Sequence, residues 1–406
     1  MNMTIIPGGI CAPVGFKAAG IQCGLRKNKS KKDLALIYAD QPCVSAAVYT
    51  QNKVKAAPLL VTMQNLADSQ ARAVIVNSAN ANACNKDGLQ KAHMMCKLAA
   101  DALSIPESDV IVSSTGVIGQ TLPIEPIANH IDALAAALSH DGGGDAAEAI
   151  LTTDTVKKEI AVSFETDGKI CKIGAMAKGS GMIHPNMATL LCFVTTDAAI
   201  SPQALSKTAR EVCDDTFNMV SVDGDTSTND MMVVMASGLC GNQAAEDDQP
   251  PDGFKQALMF VCTHLAKEIA KDGEGATKLL ECTVTSAGDI DTARSAAKSV
   301  ISSSLFKSAM FGKDANWGRI LCAVGYSGGE IDTDKIAVSL SSCNGEIEVC
   351  RNGTGLPFDE QRAADILSGD EIKILIDLGE PQGYSASAWG CDLTYDYVKI
   401  NGDYRT

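Results

Sequence analysis

Short runs rich in β-branched residues alternate with longer segments of helical periodicity along most of this chain. That alternation restricts it to an α/β architecture. Residues 71–77 (ARAVIVN) read as a buried strand running into an Asn/Ala-rich turn and then a helix from about Lys86. Residues 109–114 (DVIVSS) are a second strand ending in the turn TGVIG, and 123–138 a helix with a proline near its start. KKEIAVSFE and KICKIGAMA are two further strands separated by Thr166-Asp167-Gly168, a hairpin signal. ATLLCFVTTDA continues the sheet, and helical patterns follow at 202–215 and 253–271. The last third repeats the alternation. It has a helix near 292–308, strands at 334–340 and 344–350, a helix at 359–368 and a strand at 371–378. There is no internal repeat and no low-complexity segment. At 406 residues two domains are expected. These are a catalytic α/β domain over 1–285 and a smaller C-terminal α/β domain over 286–406, divided near Gly288 after the strand-like ECTVTSA.

Charge and composition remove whole classes of function. With 34 Lys+Arg against 49 Asp+Glu, the net charge of −15 argues against a nucleic-acid or anionic-membrane surface. No signal-like segment begins the chain and no apolar stretch is long enough to span a bilayer, so a cytoplasmic protein is expected. Aromatics make up only 4% against 46% hydrophobic residues, which leaves the core to small aliphatic side chains. The fifteen cysteines are scattered without a C-x-x-C pair, many in apolar contexts such as LLCFV. Buried free thiols explain them better than disulfides or zinc. The five histidines, at 93, 130, 140, 184 and 264, lack metal-ligand spacing. His184 reads as a loop side chain that holds a turn.

The segment Lys178 to Phe193 (KGSGMIHPNMATLLCF) sets a Ser/Gly/Pro/Asn-rich loop against an apolar run, with Thr189 where loop becomes strand. A threonine hydroxyl is a weak nucleophile unless a base stands beside it, and its own α-amine, with a pKa of about 7.7–8.0, is such a base. Thr189 is internal, so that amine exists only once the Ala188–Thr189 bond is cut. On pattern alone, an ordinary loop entering a buried strand is the better account of the segment. A second chemical signal is SSTGVIG, at the end of a strand, where a Thr-Gly turn offers a hydroxyl from Thr115 and an unobstructed N–H from Gly116.

The segment resembles the self-cleaving junction of the ornithine acetyltransferase family, and the resemblance runs through eight further blocks in order. They are GGICAPVGFKAAG (Gly8 to Gly20), NSANANAC (Asn77 to Cys84), SSTGVIG (Ser113 to Gly119) and LTTDT (Leu151 to Thr155). SVDGDTSTND (Ser221 to Asp230), DGEGATK (Asp272 to Lys278), DANWGRI (Asp314 to Ile320) and the closing Ala388 to Thr406 complete the series. One departure is Ala79, which stands where glycine is expected. If that position needs a left-handed turn, alanine occupies it at a cost.

The resemblance implies mixed sheets in the α/β class of self-processing enzymes with an N-terminal threonine nucleophile. It implies cleavage into chains 1–188 and 189–406, assembled as a heterotetramer of two α and two β chains. Thr189 becomes the nucleophile, and Thr115 and Gly116 the oxyanion hole. Substrate contacts fall on Thr153, Lys178, Thr189, Glu274, Asn401 and Thr406, the choice between Thr152 and Thr153 being open. The substrates are small amino acids: acetyl passes from N2-acetyl-L-ornithine to L-glutamate through an acetyl-Thr189 ester. No metal, nucleotide or other cofactor is needed, and acetyl-CoA is left open as a second donor. Two alternatives stand beside this reading. One is a related self-processing aminopeptidase or amidase with water as acceptor, and the other is a non-catalytic amino-acid-binding protein with an intact chain.

Overall fold

The computed structural model describes residues 3–184, 190–244 and 248–402. In chain order the strands begin with β1 (Met3–Ile6), β2 (Phe16–Ile21), β3 (Leu34–Tyr49), β4 (Gln70–Asn77) and β5 (Val110–Ser114). They continue with β6 (Lys158–Thr166), β7 (Lys169–Lys178), β8 (Leu191–Thr196), β9 (Val220–Ser221), β10 (Met231–Ala236) and β11 (Leu279–Ala287). The last five are β12 (Ala337–Ser342), β13 (Gly345–Arg351), β14 (Thr354–Gly355), β15 (Glu371–Asp377) and β16 (Tyr384–Cys391). The helices are α1 (Ala57–Asn65), α2 (Gly88–Leu103), α3 (Glu125–Ala136), α4 (Gly143–Ala149), α5 (Pro202–Asp215) and α6 (Phe254–Lys271). After them come α7 (Ile290–Ser302), α8 (Ser304–Phe311), α9 (Trp317–Gly325), α10 (Glu360–Ile366) and α11 (Tyr395–Gly402).

Two compact units emerge. The first holds the described residues of 1–179, 185–217 and 226–265; the second holds 180–184, 218–225 and those of 266–406. The expected boundary at 285/286 is therefore displaced. Its physical reason is β11, which that boundary would cut and which is a central strand of the second unit's sheet.

Nine strands of the described residues form the first unit's sheet, in the order β1-β6-β7-β8-β10-β3-β4-β5, with β2 also on β3. Strand β3 is long enough to pair with β2 through Leu34–Ala39 and with β10 through Val44–Tyr49. Alternation along β3, β4 and β5 sends successive apolar side chains to opposite faces, and both faces are covered. Ala35, Ile37, Val74, Val76 and Ile111 join one core with Ala146 and Ala147 of α4. Leu34, Leu36, Ala73, Ile75, Val110 and Val112 join the other with Met95 and Ala99 of α2 and Ile127 and Leu134 of α3. Double burial is why ARAVIVN and DVIVSS read as continuous apolar runs. The hairpin between β6 and β7 turns at Asp167 (φ +50°) and Gly168 (φ +67°), the two left-handed residues that a type I′ turn requires. Strand β8 lies between β7 and β10, antiparallel to the first and parallel to the second.

The second unit's sheet runs β14-β13-β12-β15-β11-β16-β9. Helix α7 begins where the Asp289 carboxylate accepts the Thr292 N–H at 2.7 Å, and it buries Ala293, Ala296, Ala297, Val300 and Ile301. The single helix expected over 292–308 is two. Ser303 is extended (φ −70°, ψ 112°), ends α7 and caps α8 by accepting the Phe306 N–H. Among the described residues no helix is long and apolar enough to cross a membrane.

Candidate active site

Strands β4 and β5 are parallel neighbours, Asn77 opposite Ser114, so the loops that leave them start side by side. Asparagines knit those loops together. Asn77 donates through Nδ2 to the Asn80 carbonyl at 2.9 Å and accepts the Ser114 hydroxyl at 2.5 Å. Asn80 donates to the Gln120 and Thr121 carbonyls, and Asn82 to that of Gly88. Asn229, from SVDGDTSTND, donates to the carbonyls of Ala81 at 2.6 Å and Ser114 at 2.8 Å, bracing both loops at once.

Within this frame the backbone bonds run from Thr115 N–H to the Asn77 carbonyl and from Val117 N–H to the Ala79 carbonyl, straddling Gly116. Gly116 has φ +131°, and a Cβ there would stand 2.2 Å from the Ala79 carbonyl carbon, so only glycine fits. The Thr115 side chain makes no hydrogen bond among the described residues and is 9% exposed. A donor held in place by its backbone yet uncommitted is what an oxyanion site requires. Ala79 does adopt a left-handed backbone, φ +90°, so the departure from glycine carries strain in the turn that shapes Gly116.

A buried carboxylate absent from the sequence reading organises the next pair of expected residues. Asp154 is fully buried and forms an ion pair with Lys158 at 2.8 Å, both side chains being inaccessible. It also faces Lys178 at 3.9 Å and accepts the Gly179 N–H at 2.7 Å. Burial alone would raise its pKa. The Lys178 and Lys158 charges and the donated hydrogen bonds outweigh burial and hold the carboxyl well below the usual range. Removing one partner of such a pair costs about 3–5 kcal/mol. Thr152 is turned to Asp154 through its N–H (3.1 Å) and hydroxyl (3.5 Å), while Thr153 is half-buried beside it.

Glu274 and Asn401 meet in the second unit, where Asn401 donates to Glu274 Oε2 at 2.7 Å. Glu274 is buried, its N–H donates to the Ser180 carbonyl, and its carboxylate fills the space that a Gly181 Cβ would take. Gly275 (φ +71°) lets the chain pass α11, since a Cβ there would stand 2.6 Å from the Tyr397 nitrogen. Asn401 itself is exposed, and this hydrogen bond is what ties it to Glu274. His184 Nδ1 lies 3.0 Å from the Ser221 hydroxyl. Burial, with Lys298 and Lys307 nearby, pushes its pKa down to about 4, which suits a neutral side chain holding a turn. Ala188, Thr189 and Thr406 lie outside the described residues.

Eleven of the fifteen cysteines are buried. Burial pushes Cys43 and Cys96 up to about 12, which keeps them as thiols near neutrality. Cys171, Cys240 and Asp197 bring their ligand atoms within 4.8 Å of one another, a convergence the linear spacing hides. Each is already engaged. Asp197 accepts the N–H groups of Val14 and Lys172, and the two thiols point to Asn242 Oδ1 and the Ile170 carbonyl.

The profile of the ArgJ family matches residues 17–406. The arginine biosynthesis bifunctional protein ArgJ of Symbiobacterium thermophilum is 51% identical over 409 residues, covering 100% of both chains. Its namesake in Caldanaerobacter subterraneus subsp. tengcongensis is 49% identical over 406 residues, again covering 100% of both. A solved structure of ornithine acetyltransferase from Mycobacterium tuberculosis, in complex with ornithine, is 38% identical. It has a TM-score of 0.43 and covers 46% of this chain and 100% of its own. By the match across residues 17–406 and relatives about half identical over their full length, this chain belongs to the ArgJ family.

Proposed function

We propose that this protein is a cytoplasmic enzyme of arginine biosynthesis that moves acetyl from N2-acetyl-L-ornithine to L-glutamate through an ester on Thr189. The observation that carries this reading is the full-length kinship with bifunctional arginine-biosynthesis proteins. The uncommitted Thr115 hydroxyl at a turn only glycine can make supports it.

The cycle begins with maturation. The Thr189 hydroxyl attacks the Ala188 carbonyl carbon, the peptide C–N bond breaks in an N-to-O shift, and water hydrolyses the ester into chains 1–188 and 189–406. The freed α-amine of Thr189 then accepts the proton of its own hydroxyl as that oxygen attacks the acetyl carbonyl of the donor. Thr115 and Gly116 stabilise the oxyanion, the C–N bond to ornithine breaks, and ornithine leaves carrying the proton. Glutamate attacks the acetyl-threonine ester in reverse order and departs as N-acetylglutamate. Thr153, Lys178, Glu274, Asn401 and Thr406 hold the amino-acid parts of the substrates. Lys178 serves a carboxylate and Glu274 an ammonium group. The mature assembly is two α and two β chains, with no resident cofactor. Acetyl-CoA would be a second donor, which release of free CoA on mixing it with enzyme and glutamate tests.

Two measurements test this. Denaturing electrophoresis with N-terminal sequencing should give two fragments, the second starting at Thr189, and Thr189→Ala should give one inactive chain. Initial rates against N-acetylornithine at several glutamate concentrations should plot as parallel lines. Donor alone should leave one acetyl group on the 189–406 chain. Intersecting lines with no acetylated fragment would mean direct transfer, and acetate release without transfer to glutamate would mean a hydrolase.

A further inference from the structure

The residues just before the junction are held by more polar contacts than a five-residue connection needs. Asp223 accepts the N–H groups of Met182 at 2.6 Å and Ile183 at 2.8 Å. Val222 N–H donates to the Ile183 carbonyl at 2.6 Å, and Glu274 N–H to the Ser180 carbonyl at 2.9 Å. A side chain at Gly181 would displace the Glu274 carboxylate, whose carbon lies 2.3 Å from where the Cβ would be. Met182 sits in the left-handed region (φ +57°), which an L side chain enters only at a cost. The anchor is itself anchored. The buried Lys307 ammonium donates to the carbonyl of Val222, the residue before Asp223.

A carboxylate that takes two adjacent backbone N–H groups at these distances fixes two peptide planes at once, and charge-assisted bonds of this kind are the strong ones. An intramolecular acyl shift depends steeply on such fixing, since a misplacement of about 1 Å can cost roughly 100-fold in rate. We infer that Asp223 is the positioning residue of self-cleavage. By gripping Met182 and Ile183 it sets the chain that leads into the Ala188–Thr189 bond and so governs how fast that bond rearranges. Among the described residues its carboxylate accepts from the backbone N–H groups of Met182, Ile183 and Asp225, and its role is to position the chain. The inference rests on the self-cleavage reading proposed above.

The test follows full-length precursor made by cell-free synthesis. Conversion to two fragments is timed on denaturing gels, and thermal unfolding of the same samples is recorded. Wild type should cut itself. Asp223→Asn, isosteric but uncharged, should cut about 10- to 100-fold more slowly while unfolding within a few degrees of wild type. Hydroxylamine, which cleaves an accumulated ester, should not restore its rate, because the N-to-O shift itself is slowed. Wild type that stays intact removes the self-cleavage reading and this inference with it. Folded Asp223→Asn that cuts at the wild-type rate overturns the inference and leaves that reading standing. Restoration by hydroxylamine also overturns it, by moving Asp223 to ester hydrolysis. Should Asp223→Asn fail to fold, Asp223→Glu decides, since it keeps the charge but moves the carboxylate away from the Met182 and Ile183 N–H groups. Cutting slowed several-fold sustains the inference, and an unchanged rate ends it.

Discussion

Thr115 is the residue whose surroundings say most about chemistry. Its N–H is spent on the Asn77 carbonyl, its hydroxyl on nothing among the described residues, and its successor is a glycine for steric reasons. Thr115→Ala should therefore lower kcat about 100- to 1,000-fold with little change in KM, because the lost contact strengthens as the oxyanion forms. A steep rise in KM at constant kcat would make Thr115 a ground-state binder instead. Thr115, Lys178 and Glu274 could be named from the sequence because each lies in a short block that carries the resemblance. Asp154 was not singled out, although it lies within LTTDT, since its partners at Lys178 and Gly179 are about 25 residues away. Asn229 was missed for the same reason, its two acceptors being 148 and 115 residues distant. Local spacing cannot report a bond closed by the fold.

At the scale of elements, period and turn chemistry were readable where one element ends before the next begins. Helix α5 spans Pro202–Asp215, as its pattern implies, and Ser201 caps it. Strand β3 was not recognised. Its sixteen residues carry Asp40, Gln41 and Pro42 in the middle, which reads as a turn and is in fact the irregularity between Tyr38 and Cys43 in its pairing with β4. The split of α7 from α8 at Ser303 was likewise hidden in a run of serines. The turn after β4 gives a prediction of its own. Ala79 holds φ +90°, where a Cβ is strained. Ala79→Gly should stabilise the folded protein by about 1 kcal/mol, the relief of strain exceeding the added freedom of the unfolded chain. Urea unfolding of the two proteins measures it, and a destabilised glycine variant would show that the strain lies elsewhere.

For the whole molecule, pH resistance is set by buried groups of opposing sign. His184 falls from 6.5 to about 4 on folding, so between those values the unfolded chain binds more protons. Its contribution is intact above about pH 6.5 and is lost as pH falls toward 4. Asp154, held low by two lysines, gives a contribution lost only below the ordinary carboxylate range. Asp197 and Asp223, pushed up by burial, act in the opposite direction. Unfolding midpoints at pH 7, 5.5 and 4 should accordingly fall for wild type and fall less for His184→Gln; equal declines would remove His184 as the cause. The order of the first sheet bears on what a broken chain would be. Strands β8 and β10 follow residues 185–189 in sequence, yet they are inserted between β7 and β3, which precede them. A nick anywhere in that interval interrupts covalent continuity without opening a seam in the hydrogen-bonded sheet. The halves would sediment and melt as a single body, and parting them would require tearing the sheet along two of its central pairings.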